Sequence, residues 1–165
     1  AHKVPVFVGT LDKANFSIDS FDAITMNHVI EHVPNPLDLL RESYRILSYG
    51  GYLCIATPNI QSLGYNIFRK HWFALDPPRH LYLWTCKTLS EAVEKAGFRV
   101  VRCYTSSLVA ASSFMQSRQI RITGRNNFQT AISLTGRLFG WFETILNLFV
   151  HHCGEEIRLL ASKEY

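Results

Sequence analysis

The chain has 165 residues, of which 47% are hydrophobic and 18% are charged, and its formal net charge is +4. This length and apolar content suffice for one domain with a buried core. The charge is modest, and the basic residues are scattered except for Arg118, Arg121 and Arg125. Such a distribution does not support a nucleic-acid-binding surface, so no nucleic-acid partner is expected.

The cysteines and the longest apolar region limit the class of protein further. No C-x-x-C pair occurs among the four widely spaced cysteines, Cys54, Cys86, Cys103 and Cys153. A reduced, cytoplasmic protein is the simplest account. The apolar region 134–150 is interrupted by Arg137, Glu143 and Asn147. It is too short and too polar for a membrane-spanning helix, so no stable membrane insertion is expected.

The first part of the chain predicts strands joined by a helix. Residues 4–8 predict a short strand, and residues 21–26 predict a strand apolar enough to be buried on both faces. Asn35 and Pro36 predict the capped start of a helix, which is expected to end at Gly50 and Gly51. Leu37, Leu40, Tyr44 and Leu47 recur at helical spacing and predict its packed face.

This order predicts two neighbouring parallel strands with their crossover helix, the second strand covering residues 52–56. Polar residues follow the first of these strands directly, at Asn27 and His28. In open α/β sheets, ligands bind at the carboxyl ends of the strands. A ligand site is therefore expected beside residues 26–32.

The rest of the chain predicts a long loop followed by two helix–strand steps. Residues 57–84 are rich in aromatic residues, Pro and His, and predict an irregular, functional loop with a short helix near 62–70. Further elements are expected as a helix at 87–96 ending at Gly97, a strand at 98–105, helices at 109–122 and 131–150, and a strand at 155–163.

Several segments together resemble class I S-adenosylmethionine-dependent methyltransferases, and most of all the ubiquinone-biosynthesis O-methyltransferase type. The segments are FDAITMNHVIEHVPNP, LSYGGYLCIATPN and EAVEKAGFRV. In addition, VFVGTLDKANFSIDSFDAI is similar to the family's third strand, adenine-side loop and fourth-strand entry. HWFALDPPRHLYLWT resembles a substrate-side segment, and GEEIRLLASK resembles the antiparallel last strand.

The resemblance implies an α/β Rossmann-like methyltransferase fold that is truncated at its N-terminus. The family sheet has strand order 3-2-1-4-5-7-6; strands 3 to 7 are expected here, whereas strands 1 and 2 and the glycine-rich loop are missing from residues 1–165. These residues are thus expected to form a partial methyltransferase domain, with a helical insertion at 107–153. Residues 1–165 alone are expected to bind S-adenosylmethionine weakly or not at all, and therefore to be inactive. The parent protein is expected to methylate a small molecule, preferentially on oxygen.

The resemblance also implies candidate site residues. The cofactor-binding set is Thr10, Leu11, Asp12, Asn27 and His28, with Asp12 as acceptor for the adenine amine. Without the resemblance, Asp12 is better explained as the start of a turn, whereas Asn27 fits a turn amide and a cofactor contact equally well.

Methyl transfer to a hydroxyl needs an aligned nucleophile and a base. The candidate bases are His32 and His80, since histidine titrates near neutral pH. Arg79 is the candidate for orienting an anionic substrate. Tyr65 and Trp72 are the candidates for packing against an apolar or planar substrate. Packing and loop hydrogen bonding remain alternative roles for all five.

Two alternatives to this function remain. HVIEH, residues 28–32, matches the H-x-x-E-H pattern of inverted zinc peptidases, but these need both histidines on one helix face, and Pro34 and Pro36 oppose such a helix. No metal ligand is therefore assigned. The second alternative is a non-catalytic assembly module, because an unpaired apolar strand edge invites another chain. A homodimer through that edge, or through the helices at 109–150, is expected.

Overall fold

The computed structural model describes residues 5–125, 131–150 and 152–164. Four strands form one sheet: β1 (Phe21–Asn27), β2 (Leu47–Pro58), β3 (Arg99–Ser106) and β4 (Glu156–Ser162). Five α-helices accompany them: α1 (Pro36–Ile46), α2 (Leu63–Phe68), α3 (Cys86–Lys95), α4 (Ala110–Thr123) and α5 (Leu134–Phe149). Short 3-10 helices lie at Leu11–Ala14, Ile30–His32, Arg69–His71 and Phe73–Leu75.

The sheet has the strand order β1-β2-β4-β3. β1 and β2 are parallel, whereas β4 runs antiparallel to both β2 and β3. This order is the 4-5-7-6 half of the sheet that the sequence resemblance implies. The predicted crossover from β1 through α1 to a parallel β2 is confirmed.

The main core lies between the sheet and helices α1 and α3. Leu40, Leu53, Leu89, Val93 and Ile157 are each 0% exposed. Their positions on α1, β2, α3 and β4 show that burial of apolar side chains fixes both helices against the sheet. Thr85 begins α3 with a capping box, in which Thr85 and Thr88 satisfy one another's backbone N–H groups.

A second core lies between the loop after β2 and helix α4. Phe68, Trp72 and Ala74 are buried, and Phe114 of α4 packs against them. Helix α5 packs on α4 through Gly136, since a Cβ there would stand 2.8 Å from the Met115 side chain. The irregular segment 57–84 is thus tied to the helical segment between β3 and β4.

Three local predictions differ from the structure at the N-terminal side. Residues 5–8 form no strand and are exposed, while Val4 lies outside the described residues. β1 is not buried on both faces: Ala23 and Thr25 are exposed, because they alternate with Ile24 and buried Met26 and so lie on the opposite face of the strand. Asn35 stands at the N-cap of α1, yet its side chain makes no capping hydrogen bond.

Helix α1 also ends earlier than its glycine pair predicts. Leu47 belongs to β2 and pairs with Phe21, so the helix ends at Ile46. A buried Leu47 is compatible with the packed face of a helix and with a strand. For this reason the apolar spacing predicts a helix that continues past Ile46. Gly51 lies within β2 and allows its backbone to approach β1 closely, since a Cβ there would stand 2.9 Å from the Asp22 carbonyl oxygen.

Candidate active site

A pocket of about 280 Å³ lies beside the carboxyl ends of β1 and β2. It is bounded by the 73–80 loop, the start of α4 and the start of β4. Its lining residues are His28, His32, Pro58, Phe73, Ala74, Asp76, Arg79, His80, Val109, Ser112, Ser113, Glu155 and Glu156. The pocket thus occupies the strand ends where the sequence predicts a ligand site.

His28 leaves β1 in a conformation that turns its ring toward two carboxylates. Its φ is +52°, and its backbone N–H donates to the Ala56 carbonyl at 2.9 Å. The ring Nε2 lies 3.0 Å from Glu156 Oε1, and Nδ1 lies 3.3 Å from Glu31 Oε1. Hydrogen bonding to Glu156, and then to Glu31, raises the pKa of His28 to about 9. His28 is therefore a cation at neutral pH.

Glu156 is the anionic partner of His28 and comes from the first residue of β4. It is 2% exposed, and its Oε2 accepts a 2.7 Å hydrogen bond from Arg158 Nε. Burial opposes ionisation, but the hydrogen bonds from His28 and Arg158 outweigh it and lower the pKa of Glu156. The pocket wall thus holds a buried, ionised carboxylate.

Glu31 lies beneath the pocket and joins β1, β2 and the 81–82 segment. Its side chain is buried, and Oε2 accepts a 2.9 Å hydrogen bond from the Thr57 hydroxyl. Its carbonyl oxygen accepts hydrogen bonds from the backbone N–H groups of Leu81 at 2.8 Å and Tyr82 at 3.2 Å. These bonds hold the loop that carries His80 against the turn that carries His32.

His32 and His80 face one another across the pocket rim. Their ring centroids are 4.7 Å apart with an interplanar angle of 62°. His32 Nδ1 lies 2.9 Å from the Arg79 carbonyl oxygen, and His80 Nδ1 lies 2.7 Å from the Ala74 carbonyl oxygen. Since a carbonyl only accepts, both Nδ1 atoms carry a proton, and the neutral form of each ring has its lone pair on Nε2.

The structure brings together four of the predicted site residues: His28, His32, Arg79 and His80 all line the pocket. Arg79 also forms an ion pair with Asp76, with 2.5 Å between Nη2 and Oδ2. Asn27 ends β1 beside them but is not among the lining residues.

The other predicted residues lie elsewhere. Thr10, Leu11 and Asp12 form a separate turn around the 3-10 helix Leu11–Ala14 and do not line the pocket. Tyr65 packs on Trp72 at a ring-centroid distance of 5.6 Å. Trp72 is only 1% exposed, so its indole lies beneath the pocket and does not form its wall. This burial favours the packing role of Trp72 over its predicted role as a substrate wall.

Among the lining residues that the sequence interpretation missed, Glu155 and Glu156 are the two buried acids. Glu155 is 3% exposed and accepts hydrogen bonds from Gly64 N, Trp72 Nε1 and Ser113 Oγ at 2.7, 2.8 and 2.7 Å. The sequence signal for them was a pair of adjacent acids at the start of an apolar strand. Burying a charged side chain there is unfavourable, so such a pair can indicate a functional site.

The structure also removes the geometry on which the zinc-peptidase alternative depends. Between β1 and α1, HVIEH forms only the three-residue 3-10 helix Ile30–His32. Both ring nitrogens of His28 face carboxylates rather than a site shared with His32. The motif therefore does not present two histidines on one helix face.

Comparison with known proteins agrees with this fold. A family model described as a methyltransferase domain matches residues 2–102. A chloroplastic 2-methyl-6-phytyl-1,4-hydroquinone methyltransferase of Oryza sativa subsp. japonica is 28% identical over 99 residues, covering 60% of this chain and 28% of the relative. A demethylmenaquinone methyltransferase of Listeria welshimeri is 40% identical over 62 residues, covering 36% of this chain and 26% of the relative.

The fold is also that of solved structures. A SAM-dependent methyltransferase from Archaeoglobus fulgidus aligns with a TM-score of 0.57 and 21% identity, over 96% of this chain and 66% of that one. The chain spans about a quarter of the length of the curated relatives it matches. Since the family model covers more than half of its residues, the chain belongs to the methyltransferase domain family.

Proposed function

We propose that the protein containing this chain transfers a methyl group from S-adenosylmethionine to a hydroxyl oxygen of a small, partly apolar acceptor. Family membership supports the reaction class and the cofactor. The names of two relatives describe methyltransferases of a phytyl-hydroquinone and of demethylmenaquinone, which supports an aromatic acceptor of the hydroquinone type. The observation that carries the proposal is the pair of histidines, His32 and His80, that line a pocket beside the strand ends and whose Nδ1 atoms are both held by carbonyl oxygens.

Methylation of a hydroxyl requires the acceptor to lose its proton as the new O–C bond forms. The acceptor oxygen attacks the sulfonium methyl carbon in line with the breaking C–S bond, and S-adenosylhomocysteine leaves as a neutral thioether. The hydroxyl proton goes to Nε2 of His32 or His80, which acts as general base. Arg79 at the same rim supplies a positive charge for an anionic acceptor, and Tyr65 is the candidate for a planar one.

The cofactor side of the proposal uses the β1 end and the turn near the N-terminus. His28 and Asn27 are the candidate contacts at the end of β1. Thr10, Leu11 and Asp12 are the candidate adenine contacts. A hydrogen bond from Thr10 lowers the pKa of Asp12, which keeps the carboxylate ionised as an acceptor for the exocyclic amine.

Residues 1–165 alone are proposed to bind the cofactor weakly and to be inactive, because they do not include the family's glycine-rich loop or its ribose-binding acid. The test is calorimetric titration of S-adenosylhomocysteine into the 165-residue chain and into the full-length natural protein. Tight binding by the shorter chain would contradict this part of the proposal.

The base assignment is tested in the full-length protein with labelled S-adenosylmethionine and a hydroquinone acceptor. His32→Gln or His80→Gln is expected to lower kcat by roughly 100-fold with little change in KM for the cofactor. His71→Gln, outside the pocket, is the matched control and is expected to be unchanged. Wild-type rates in both pocket variants would refute the base role, and a carbon-methylated product would refute the oxygen assignment.

A second candidate function is a non-catalytic assembly module. The outer edge of β1 has no partner strand among the described residues, which favours pairing with another chain. For location, the four cysteines are free thiols, which supports a reducing compartment such as the cytoplasm. No helix in the described part of the chain combines the length and apolarity needed to span a bilayer.

A further inference from the structure

Three side chains from two distant parts of the chain converge beside the pocket. Glu31 and His32 belong to the turn after β1, and His80 belongs to the loop before α3. One candidate ligand atom from each of the three lies within 4.8 Å of the others. Two imidazoles and one carboxylate, with an open side toward a pocket, form the donor set typical of catalytic zinc sites.

Both histidines are held as metal ligands usually are. A ligating histidine normally donates its other ring N–H to a carbonyl or carboxylate, which fixes its tautomer and orientation. His32 Nδ1 and His80 Nδ1 do this with the carbonyl oxygens of Arg79 and Ala74, at 2.9 and 2.7 Å. The lone pairs of both rings are consequently on Nε2, where a cation would bind.

Glu31 is the buried member of this set. Its side chain is 1% exposed, and Oε2 accepts a hydrogen bond from the Thr57 hydroxyl. Oε1 meets the charged ring of His28, whose Nδ1 lies 3.3 Å away. A metal ion bound to Glu31 would therefore compete with His28 for this carboxylate.

We propose that Glu31, His32 and His80 bind a divalent transition-metal ion of the Zn²⁺ class, with its open positions facing the pocket. Imidazole nitrogens with one carboxylate select such ions over Mg²⁺ or Ca²⁺, which prefer all-oxygen ligand sets. Ligand atoms about 2.1 Å from a tetrahedral ion stand roughly 3.5 Å apart, so the cluster contracts by about 1 Å on binding. Exposed His32 and half-buried His80 have the freedom to make this movement.

This site differs from the zinc-peptidase pattern in the sequence. That pattern pairs His28 with His32 and leaves Glu31 as a base, whereas here Glu31 is a ligand and His28 is a competing cation. The inference also goes beyond methyl transfer, because metal binding is measured without cofactor or acceptor. A bound ion occupies the Nε2 lone pairs, so His32 and His80 act either as ligands or as bases at one time.

The test is titration of Co²⁺ and Zn²⁺ into the metal-free full chain, followed by visible absorption and by calorimetry. One ion per chain is expected, with a Co²⁺ spectrum typical of four or five ligands. His32→Gln and His80→Gln are each expected to weaken binding by on the order of 100-fold, and His71→Gln to leave it unchanged. Equal binding by all three variants would show an adventitious surface ion and overturn the proposal.

His28→Gln distinguishes the two possible ligand sets. Removing the cation beside Glu31 is expected to keep the affinity or raise it; a loss comparable to that of His32→Gln overturns the assignment of His28 as a competitor. Pulsed electron paramagnetic resonance of the Cu²⁺ form gives a test without substitution. Two coupled imidazoles support the site, and one or none overturns it.

Discussion

Trp72 Nε1 donates a 2.8 Å hydrogen bond to Glu155 Oε2, and both side chains are buried. The same carboxylate accepts from Gly64 N and Ser113 Oγ. Helix α2, the loop that carries Trp72, helix α4 and the start of β4 therefore meet at one side chain. Glu155, directly before β4, thus holds three other segments together beside the pocket.

Glu155→Gln is expected to destabilise the fold by about 2–3 kcal/mol, because an amide NH₂ would face donors and leave at least one of them unsatisfied. Denaturant unfolding with circular dichroism measures the change. Glu164→Gln is the matched control: that carboxylate is 54% exposed in its ion pair with Arg99, so an effect below about 0.5 kcal/mol is expected. Equal effects in the two variants would refute the role given to Glu155.

Gly64→Ala tests the same contact from the other side. A Cβ at Gly64 would stand 2.1 Å from Glu155 Oε1, so a loss of roughly 2 kcal/mol or more is expected. The control is Gly140→Ala in α5, where the new Cβ would meet Ala111 at an ordinary 3.4 Å. There, replacing a helical glycine is expected to stabilise the protein by about 0.5–1 kcal/mol. Thermal melting of both variants shows whether the signs are opposite.

Glu143 makes the stability depend on pH. Burial, followed by repulsion from Glu155, raises its pKa from an ordinary 4.5 to about 8. The folded protein thus keeps a proton between about pH 4.5 and 8 that the unfolded chain releases. The contribution of Glu143 is complete below the lower value and is lost as the pH rises toward 8, at up to about 1.4 kcal/mol per pH unit.

Glu143→Gln is expected to flatten this pH dependence, because an amide keeps the acceptor for the Glu155 N–H without titrating. Urea unfolding at about pH 5, 6.5 and 8 gives the comparison. Glu94→Gln, at an exposed position of α3, is expected to leave the slope as in the wild type. An unchanged slope in Glu143→Gln contradicts the prediction.

The open edge of β1 predicts self-association of the 165-residue chain. Thr25 is exposed on this strand, and a lysine on an edge strand opposes pairing with a second copy. Thr25→Lys is expected to shift the chain from dimer to monomer in light scattering, whereas Gln61→Lys adds the same charge away from the edge and is expected to have no effect.

Helix α5 is the rival surface for self-association. Leu134, Trp141, Leu148 and Phe149 are each more than 70% exposed. If Trp141→Glu produces monomers and Thr25→Lys does not, the helix forms the contact and the edge prediction is wrong. Monomers in the wild type at all concentrations contradict both.

Much of the fold was predictable from local patterns. The strand at 21–26, the helix that begins at Pro36, and the helix that stops before Gly97 follow from periodicity and backbone preferences within a few residues. The same reasoning failed where one apolar pattern fits both a helix and a strand. Leu47 satisfies a helical stripe and a strand equally, and only its pairing with Phe21 assigns it to β2.

For the site, the sequence alone determined which residues follow β1: a polar turn carrying His28 and His32 at a strand end, because strand polarity and turn chemistry are local. Only the tertiary structure decided what those side chains meet. Glu156 reaches His28 across 128 positions of sequence, and His80 reaches His32 through a loop held by the Glu31 carbonyl. Such contacts depend on sheet order and loop packing, which bring distant residues together without leaving a periodic signal in the chain.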